Sequence, residues 1–235
     1  MATYFRDFSD ADGISDWTEL AHVSGNAAPT WAIQNTDEVI ATSSLSHLET
    51  LAWNDIDSDA DRDDVEVVGL YRLPGTTNSS SNRVFSVRVS NDSSRTCYAV
   101  RLRNGDIYVY RVSGAVATQL AGDTTLSLTT GNWYWVRFRI NGSAYKAKVW
   151  ADGDSEPGTW NVESTDSTYS TAGAVGLLKG ANTNNHEWSM FGVGTNGDTA
   201  PTSGAPPAPT VTLSNLEGYD ITASGFKLRL DYDFA

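Results

Sequence analysis

Residues 133–151 constrain this chain more than any other stretch. In Trp133-Tyr-Trp-Val-Arg-Phe-Arg-Ile140, the side chains of Tyr134, Val136, Phe138 and Ile140 alternate with Trp133, Trp135, Arg137 and Arg139. A period of two sends the first set to one face of an extended strand and the second set to the other. That is the pattern of an antiparallel strand buried on one side. Asn141-Gly142 is tight-turn chemistry, and Ala144-Tyr-Lys-Ala-Lys-Val-Trp-Ala151 follows at once, so the two runs pair as a hairpin. A hairpin with one wide apolar face needs a second layer to cover it, which commits the chain to stacked β-sheets.

The same signature recurs. Segments 64–73, 83–90, 96–103 and 106–112 are rich in Val, Tyr and Phe, with Pro74-Gly75, Asn91-Asp92-Ser93-Ser94 and Asn104-Gly105 between or beside them as turns. No segment sustains a helical period, and 45–52 offers a short helical turn at best. With 8 Trp, 10 Tyr and 7 Phe in 235 residues, the chain can fill the core of one sandwich of about 200 residues.

Three elements carry a family resemblance: the strand Trp135-Val-Arg-Phe138, the Asn141-Gly142 turn, and Lys148-Val-Trp150 running on to Glu156-Pro157 and Trp160. Together they resemble the laminin-G-like, concanavalin A-like jelly rolls, including those found in phage virion proteins. Phe5-Arg-Asp-Phe8 with Trp17, Trp31-Ala-Ile33, Asp64-Val-Glu-Val67, Gly173 to Leu178 and Trp188 to Val193 extend the resemblance over residues 4–195. It implies an all-β fold, a two-sheet antiparallel jelly-roll sandwich spanning 1–195. Such folds serve lectins, hydrolases, adhesins and virion proteins alike, so function has to be argued from sites.

Beyond 195 the composition shifts. Residues 196–209 are Pro-, Gly- and Thr-rich and read as a linker. In 210–235 a second strict alternation puts Phe226, Leu228, Leu230, Tyr232 and Phe234 on one face. The segment resembles the start of a fibronectin type III-like or immunoglobulin-like domain cut short. Two strands cannot bury that face alone, so a C-terminal β appendage docking on a sister copy or a partner is expected.

Several patterns suggest chemistry. Asp55, Asp57, Asp59, Asp61, Asp63 and Glu66 stand at the oxygen-ligand spacing of a calcium loop, although Ala60 replaces the bend-forming glycine and no helix flanks the run. Closely spaced carboxylates repel unless they are solvated or bridged by a cation, so the readings are a structural Ca²⁺ or a solvated acidic loop. Gly192-x-Gly194-x-x-Gly197 matches a dinucleotide fingerprint by letters, but no helix follows to hold a pyrophosphate. Trp133 and Trp135 on one strand and Tyr108 and Tyr110 on another could form an aromatic platform for sugar rings, or could pack as a sandwich surface or interface. Cys97, the single cysteine, alternates with Tyr98, Val100 and Leu102 and reads as a small sheet residue.

Catalysis is not expected. No pair of closely spaced carboxylates of the glycosidase kind occurs, and His22, His47 and His186 have no spacing that suggests a triad or metal site. A net charge of −13 argues against a nucleic-acid partner, and no run of about 20 apolar residues argues for a membrane span. The start has no basic-then-hydrophobic leader, so synthesis in a host cytoplasm is expected. Two readings follow. One is a non-enzymatic structural virion protein of a tailed phage, exposed on capsid or tail and associated with copies of itself and other virion proteins. The alternative is a lectin-like carbohydrate-binding or host-attachment module, with a glycoside hydrolase a distant third.

Overall fold

The computed structural model describes residues 2–9, 13–22, 28–42, 48–54, 56, 64–75, 82–114 and 116–203. Among these, the strands are β1 (Ala2–Arg6), β2 (Trp17–Ala21), β3 (Trp31–Gln34), β4 (Glu38–Ala41), β5 (Glu49–Trp53), β6 (Val65–Arg72), β7 (Arg83–Val89), β8 (Thr96–Arg103), β9 (Asp106–Ser113), β10 (Val116–Asp123), β11 (Trp133–Asn141), β12 (Ala144–Ala151), β13 (Val162–Thr165), β14 (Ala174–Lys179) and β15 (His186–Thr195). No described residue is helical. One sheet has eight strands in the order β13-β12-β11-β6-β15-β4-β3, with β1 added beside β15. The other has seven, in the order β10-β9-β8-β7-β14-β5-β2. All pairings are antiparallel within each sheet.

The β11–β12 hairpin forms as its pattern requires. Asn141 pairs with Ala144, leaving Gly142 and Ser143 as the turn, and Gly142 takes φ +55°. A left-handed first turn residue matches the twist of the flanking strands. The apolar face of β11 lies inward: Tyr134, Val136, Phe138 and Ile140 join one core cluster with Phe85 of the facing sheet and Trp188 and Phe191 of β15. Trp17 stacks on Trp53 at 5.4 Å, and Trp31 on Trp188 at 5.6 Å, so aromatic rings fill the interior at the β2–β5 and β3–β4 end.

Two expectations change. Residues 49–53 are a strand, not a helical turn, and every residue of β5 is buried. Leu51 and Trp53 face the core. On the opposite face Thr50 bonds His22 Nε2 and Ser86 Oγ, each at 2.8 Å. Burial of both faces erases the alternation that marks a strand in sequence. The packed unit also continues past residue 195. Residues 197–201 lie across the outer face of the eight-stranded sheet. Gly197 N–H donates to Asp64 O at 3.1 Å, Ala200 N–H donates to Glu66 Oε1 at 3.0 Å, and Arg137 Nη1 donates to Ala200 O at 2.9 Å.

The glycines of the 192–197 motif explain how this strap fits. A Cβ on Gly192 would sit 2.2 Å from Pro201 O, and one on Gly194 would sit 2.4 Å from Asp198 O. The motif is there because backbone must lie on backbone. Residues 204–209 of the expected linker, and the tail with Phe226, Leu228, Leu230, Tyr232 and Phe234, lie outside the described residues.

Candidate functional site

Asp55, Asp57, Asp59, Asp61 and Asp63 lie outside the described residues. Glu66, the remaining candidate ligand, is committed elsewhere. It is buried on the outer face of the eight-stranded sheet, where Oε1 accepts from Arg137 Nη1 and Ala200 N, and Oε2 accepts from Arg139 Nε. Both oxygens of this carboxylate are thus engaged by the sheet and the 197–201 segment, two guanidiniums and an amide in all. Among the described residues no group of three or more His, Cys, Asp or Glu side chains is arranged to hold a metal ion.

Trp133 and Trp135 project from the same outer face, but Trp135 is already engaged. Its ring stacks on Trp150 of β12 at 6.0 Å with planes 11° apart, and its Nε1 donates to Asp152 Oδ1 at 3.1 Å. Lys148 lies 5.9 Å from the Trp150 ring and 4.6 Å from the Trp160 ring. The result is a ladder of rings and cations in which each surface covers its neighbour. The cations are also neutralised: Glu156 takes Arg137 and Lys148, and Glu163 takes Lys146. Burial opposes ionisation of Glu156, but Lys148 and Arg137 outweigh it and hold its carboxyl below the usual range. This surface is a packed polar–aromatic layer.

Tyr108 and Tyr110 lie on β9 of the other sheet, so the two aromatic pairs are not brought together. Tyr108 covers Gly122 of β10, where a Cβ would fall 2.1 Å from the ring. Arg101 of β8 lies 4.6 Å over Tyr108 and 5.3 Å from Tyr110, donating to Tyr110 Oη at 2.6 Å and Asp106 Oδ1 at 2.7 Å. Arg83 of β7 lies 5.7 Å from the Tyr110 ring. The same face holds Cys97, whose thiol burial pushes up to about 12, making it an inert packing group.

The arrangement best suited to a ligand is one that reads in sequence only as turns. A cavity of about 360 Å³ opens between the β7–β8 turn and the segment 168–172 that precedes β14, lined by Ser90, Asn91, Asp92, Thr96 and Tyr169 among others. Asp92 is its pre-set acceptor. Oδ1 takes hydrogen bonds from Ser90 Oγ at 2.9 Å, Ser94 N at 3.0 Å, Ser94 Oγ at 2.7 Å and Arg95 N at 3.1 Å. The Ser94 and Ser90 hydroxyls hold this carboxyl below the usual carboxylate range, so it stays an acceptor in mildly acid solution. With Oδ1 saturated and the group exposed, Oδ2 is left for a ligand.

The opposite wall is fixed with equal care. Arg88, buried and at φ +52°, donates from Nη1 to Tyr169 O and from Nη2 to Gly142 O, each at 2.8 Å. Tyr98 Oη donates to Asp166 Oδ1 at 2.6 Å, and the half-buried Tyr169 ring packs on Tyr98 at 5.4 Å. A fixed carboxylate, an amide, several hydroxyls and one ring edge or face make up the cavity. Such groups recognise polyols: the carboxylate and amide bond hydroxyl groups, and the ring covers the C–H face of a sugar. A second cavity, of about 500 Å³ beside Arg72, Asn184, Asn185 and Glu187, has no aromatic side chain.

The arrangement of the sheets can be compared with solved structures. The VIP36 exoplasmic/lumenal domain, solved with Ca²⁺ and Man₃GlcNAc bound, matches with a TM-score of 0.54 at 12% identity, covering 86% of this chain and 93% of that one. The chain has the fold of a two-sheet antiparallel jelly-roll sandwich. The carbohydrate recognition domain of Emp46p matches in its potassium-bound form with a TM-score of 0.53 at 12% identity, covering 78% and 91%. Its metal-free form gives 0.52 at 12% identity, covering 78% and 90%. At this identity the likeness is one of fold. No protein-family profile matches the chain, and no curated protein matches it in sequence.

Proposed function

We propose that this chain is a lectin-like carbohydrate-binding module whose saccharide occupies the cavity between Asn91–Asp92 and Thr168–Thr171. The observation that carries the reading is Asp92, an exposed carboxylate with one oxygen locked by four hydrogen bonds and the other left for a ligand, facing a half-buried tyrosine across a hydroxyl-lined cavity. Pre-organisation removes much of the ordering cost that weakens sugar recognition by mobile side chains. The likeness of fold to domains solved with a glycan bound adds support. The tail at 210–235, by which the reading as a phage virion component would attach to a neighbour, lies outside the described residues.

The test is a glycan array followed by calorimetry on the best ligand. Asp92→Ala should abolish binding and lower the melting midpoint only modestly, because the four bonds it removes are confined to one exposed turn. Tyr169→Ala should weaken affinity about tenfold, the scale of one aromatic contact. Retention of wild-type affinity by Asp92→Ala, or no binding to any glycan by the parent protein, would overturn the assignment.

A further inference from the structure

On the outer face of the seven-stranded sheet, Arg83 of β7 is the direct cross-strand partner of Arg101 of β8. Like charges facing each other across a strand pair repel, and both side chains are nearly buried, with Arg83 8% and Arg101 4% exposed. Arg101 has a counter-ion, Asp106, which it shares with Arg103. Arg83 has none among the described residues. Its ring contact is Tyr110, and its Nε, like that of Arg101, has no hydrogen-bond acceptor. Asp106 thus serves Arg101 and Arg103, and Arg83 stands beside Arg101 and Tyr110 without a counter-ion of its own, in a chain whose net charge is −13.

A guanidinium withdrawn from water without an anion is costly, and one partner removed from a buried pair leaves that cost standing. The side chain is held in place all the same, by the register of β7 on β8 and by the Tyr110 ring. Tyr108, half-buried, and Gln119, exposed and accepting from Tyr110 Oη at 3.2 Å, form the rim of the cluster. The Nε of Arg83 is buried without an acceptor, and a planar guanidinium matches a two-oxygen anion.

We infer that Arg83, beside Arg101 and Tyr110, is a binding site for an oxyanion carried by the ligand, and that the module therefore selects acidic saccharides bearing carboxylate or sulfate. The saccharide part rests on the carbohydrate-binding reading above; the anion site does not. The cluster lies on a sheet face and the cavity in loops, so the two sites accept different parts of one ligand.

The probes are oligogalacturonate, its methyl ester, a sulfated saccharide and inorganic sulfate, measured by calorimetry and by thermal shift on the full chain and on Arg83→Met. Acidic saccharides should bind the parent protein and lose on the order of 10–100-fold in affinity with Arg83→Met, the scale of a charge-assisted hydrogen bond. The methyl ester should bind no better than a neutral glycan. Arg83→Met should melt at or above the parent midpoint, since it removes an uncompensated charge. A large fall in midpoint would show the guanidinium to be paired and overturn the inference. If neutral and acidic glycans bind alike and Arg83→Met changes neither, the anion site fails while the lectin reading stands. If sulfate alone stabilises the protein through Arg83 and no saccharide binds, the anion site stands and the lectin reading fails. Selectivity between carboxylated and sulfated probes identifies which oxyanion the site takes.

Discussion

Replacing Glu66 tests how the outer face of the eight-stranded sheet is held together. Glu66 is 1% exposed and binds three donors: Arg137, Arg139 and the amide of Ala200. Removing one partner of a buried ion pair costs about 3–5 kcal/mol, because the other charge is stranded. Here the lower end applies. Arg137 keeps Glu156, and the Arg139 side chain, 28% exposed, can turn to water. Glu66→Ala should therefore lose about 3 kcal/mol, which at about 3 kcal/mol/M in urea is a fall of about 1 M in the unfolding midpoint. Replacing both Glu66 and Arg137 by Met should recover part of that loss, since an apolar pair carries no desolvation cost. Urea unfolding followed by tryptophan fluorescence reads the parent, Glu66→Ala, the double variant and its two singles, Glu66→Met and Arg137→Met. A midpoint for Glu66→Ala within about 0.2 M of the parent, or a double variant as weak as the sum of its singles, would refute this account of the node.

Three further outcomes are expected. Phe138 is fully buried between the sheets, so Phe138→Ala should lose about 3–5 kcal/mol in the same assay, and an unchanged midpoint would mean the side chain does not fill the core. Gly192→Ala should drive the strap off its sheet, seen as protease cleavage between 197 and 203 in an otherwise folded protein; a resistant variant would contradict the close approach of Pro201. His22 supplies a pH dependence: burial pushes its pKa from 6.5 down to about 4, with the nearby Arg95 and Arg83 charges adding and the Arg95 carbonyl opposing. The native state thus refuses a proton that the unfolded chain accepts. Stability from this group is complete above pH 6.5 and is lost as pH falls toward 4, roughly 2–3 kcal/mol between pH 7 and 4.5. His22→Gln should lose correspondingly less over that interval, and parallel curves for the two proteins would exclude His22 as the cause.

Legibility followed the environment of each residue. β11 could be read because its two faces meet different media, core on one side and a charged surface on the other. β5 could not, because Thr50 and Leu51 are both buried and differ only in what buries them. The sequence placed Trp133, Trp135, Arg137 and Arg139 on one face. Whether that face was open depended on Trp150, Lys148 and Trp160, which only the register of β12 and the path of the following loop bring into contact. Asp92 read as turn chemistry because its bonds to Ser90, Ser94 and Arg95 are those of a turn; its role depends on Tyr169, 77 positions later, closing the cavity. Arg83 gave no signal, since its meaning lies in being paired with Arg101 across a strand boundary that carries a bulge.

The partnering of β1 with β15 has a consequence for how the chain reaches this state. Ala2 pairs with Thr195 and Arg6 with Phe191, so the first of the described strands is completed by the last of them. Until residue 195 has been synthesised, β1 has no neighbour, and its edge is a template for another chain. The strap across Gly192 and Gly194 can settle only after β6, β11 and β15 lie side by side, since it bonds to Glu66 and Arg137 at once. Folding of this domain is therefore closed from its ends inward at a late stage, in the slow regime of topologies dominated by distant pairings, and the strap is its final latch.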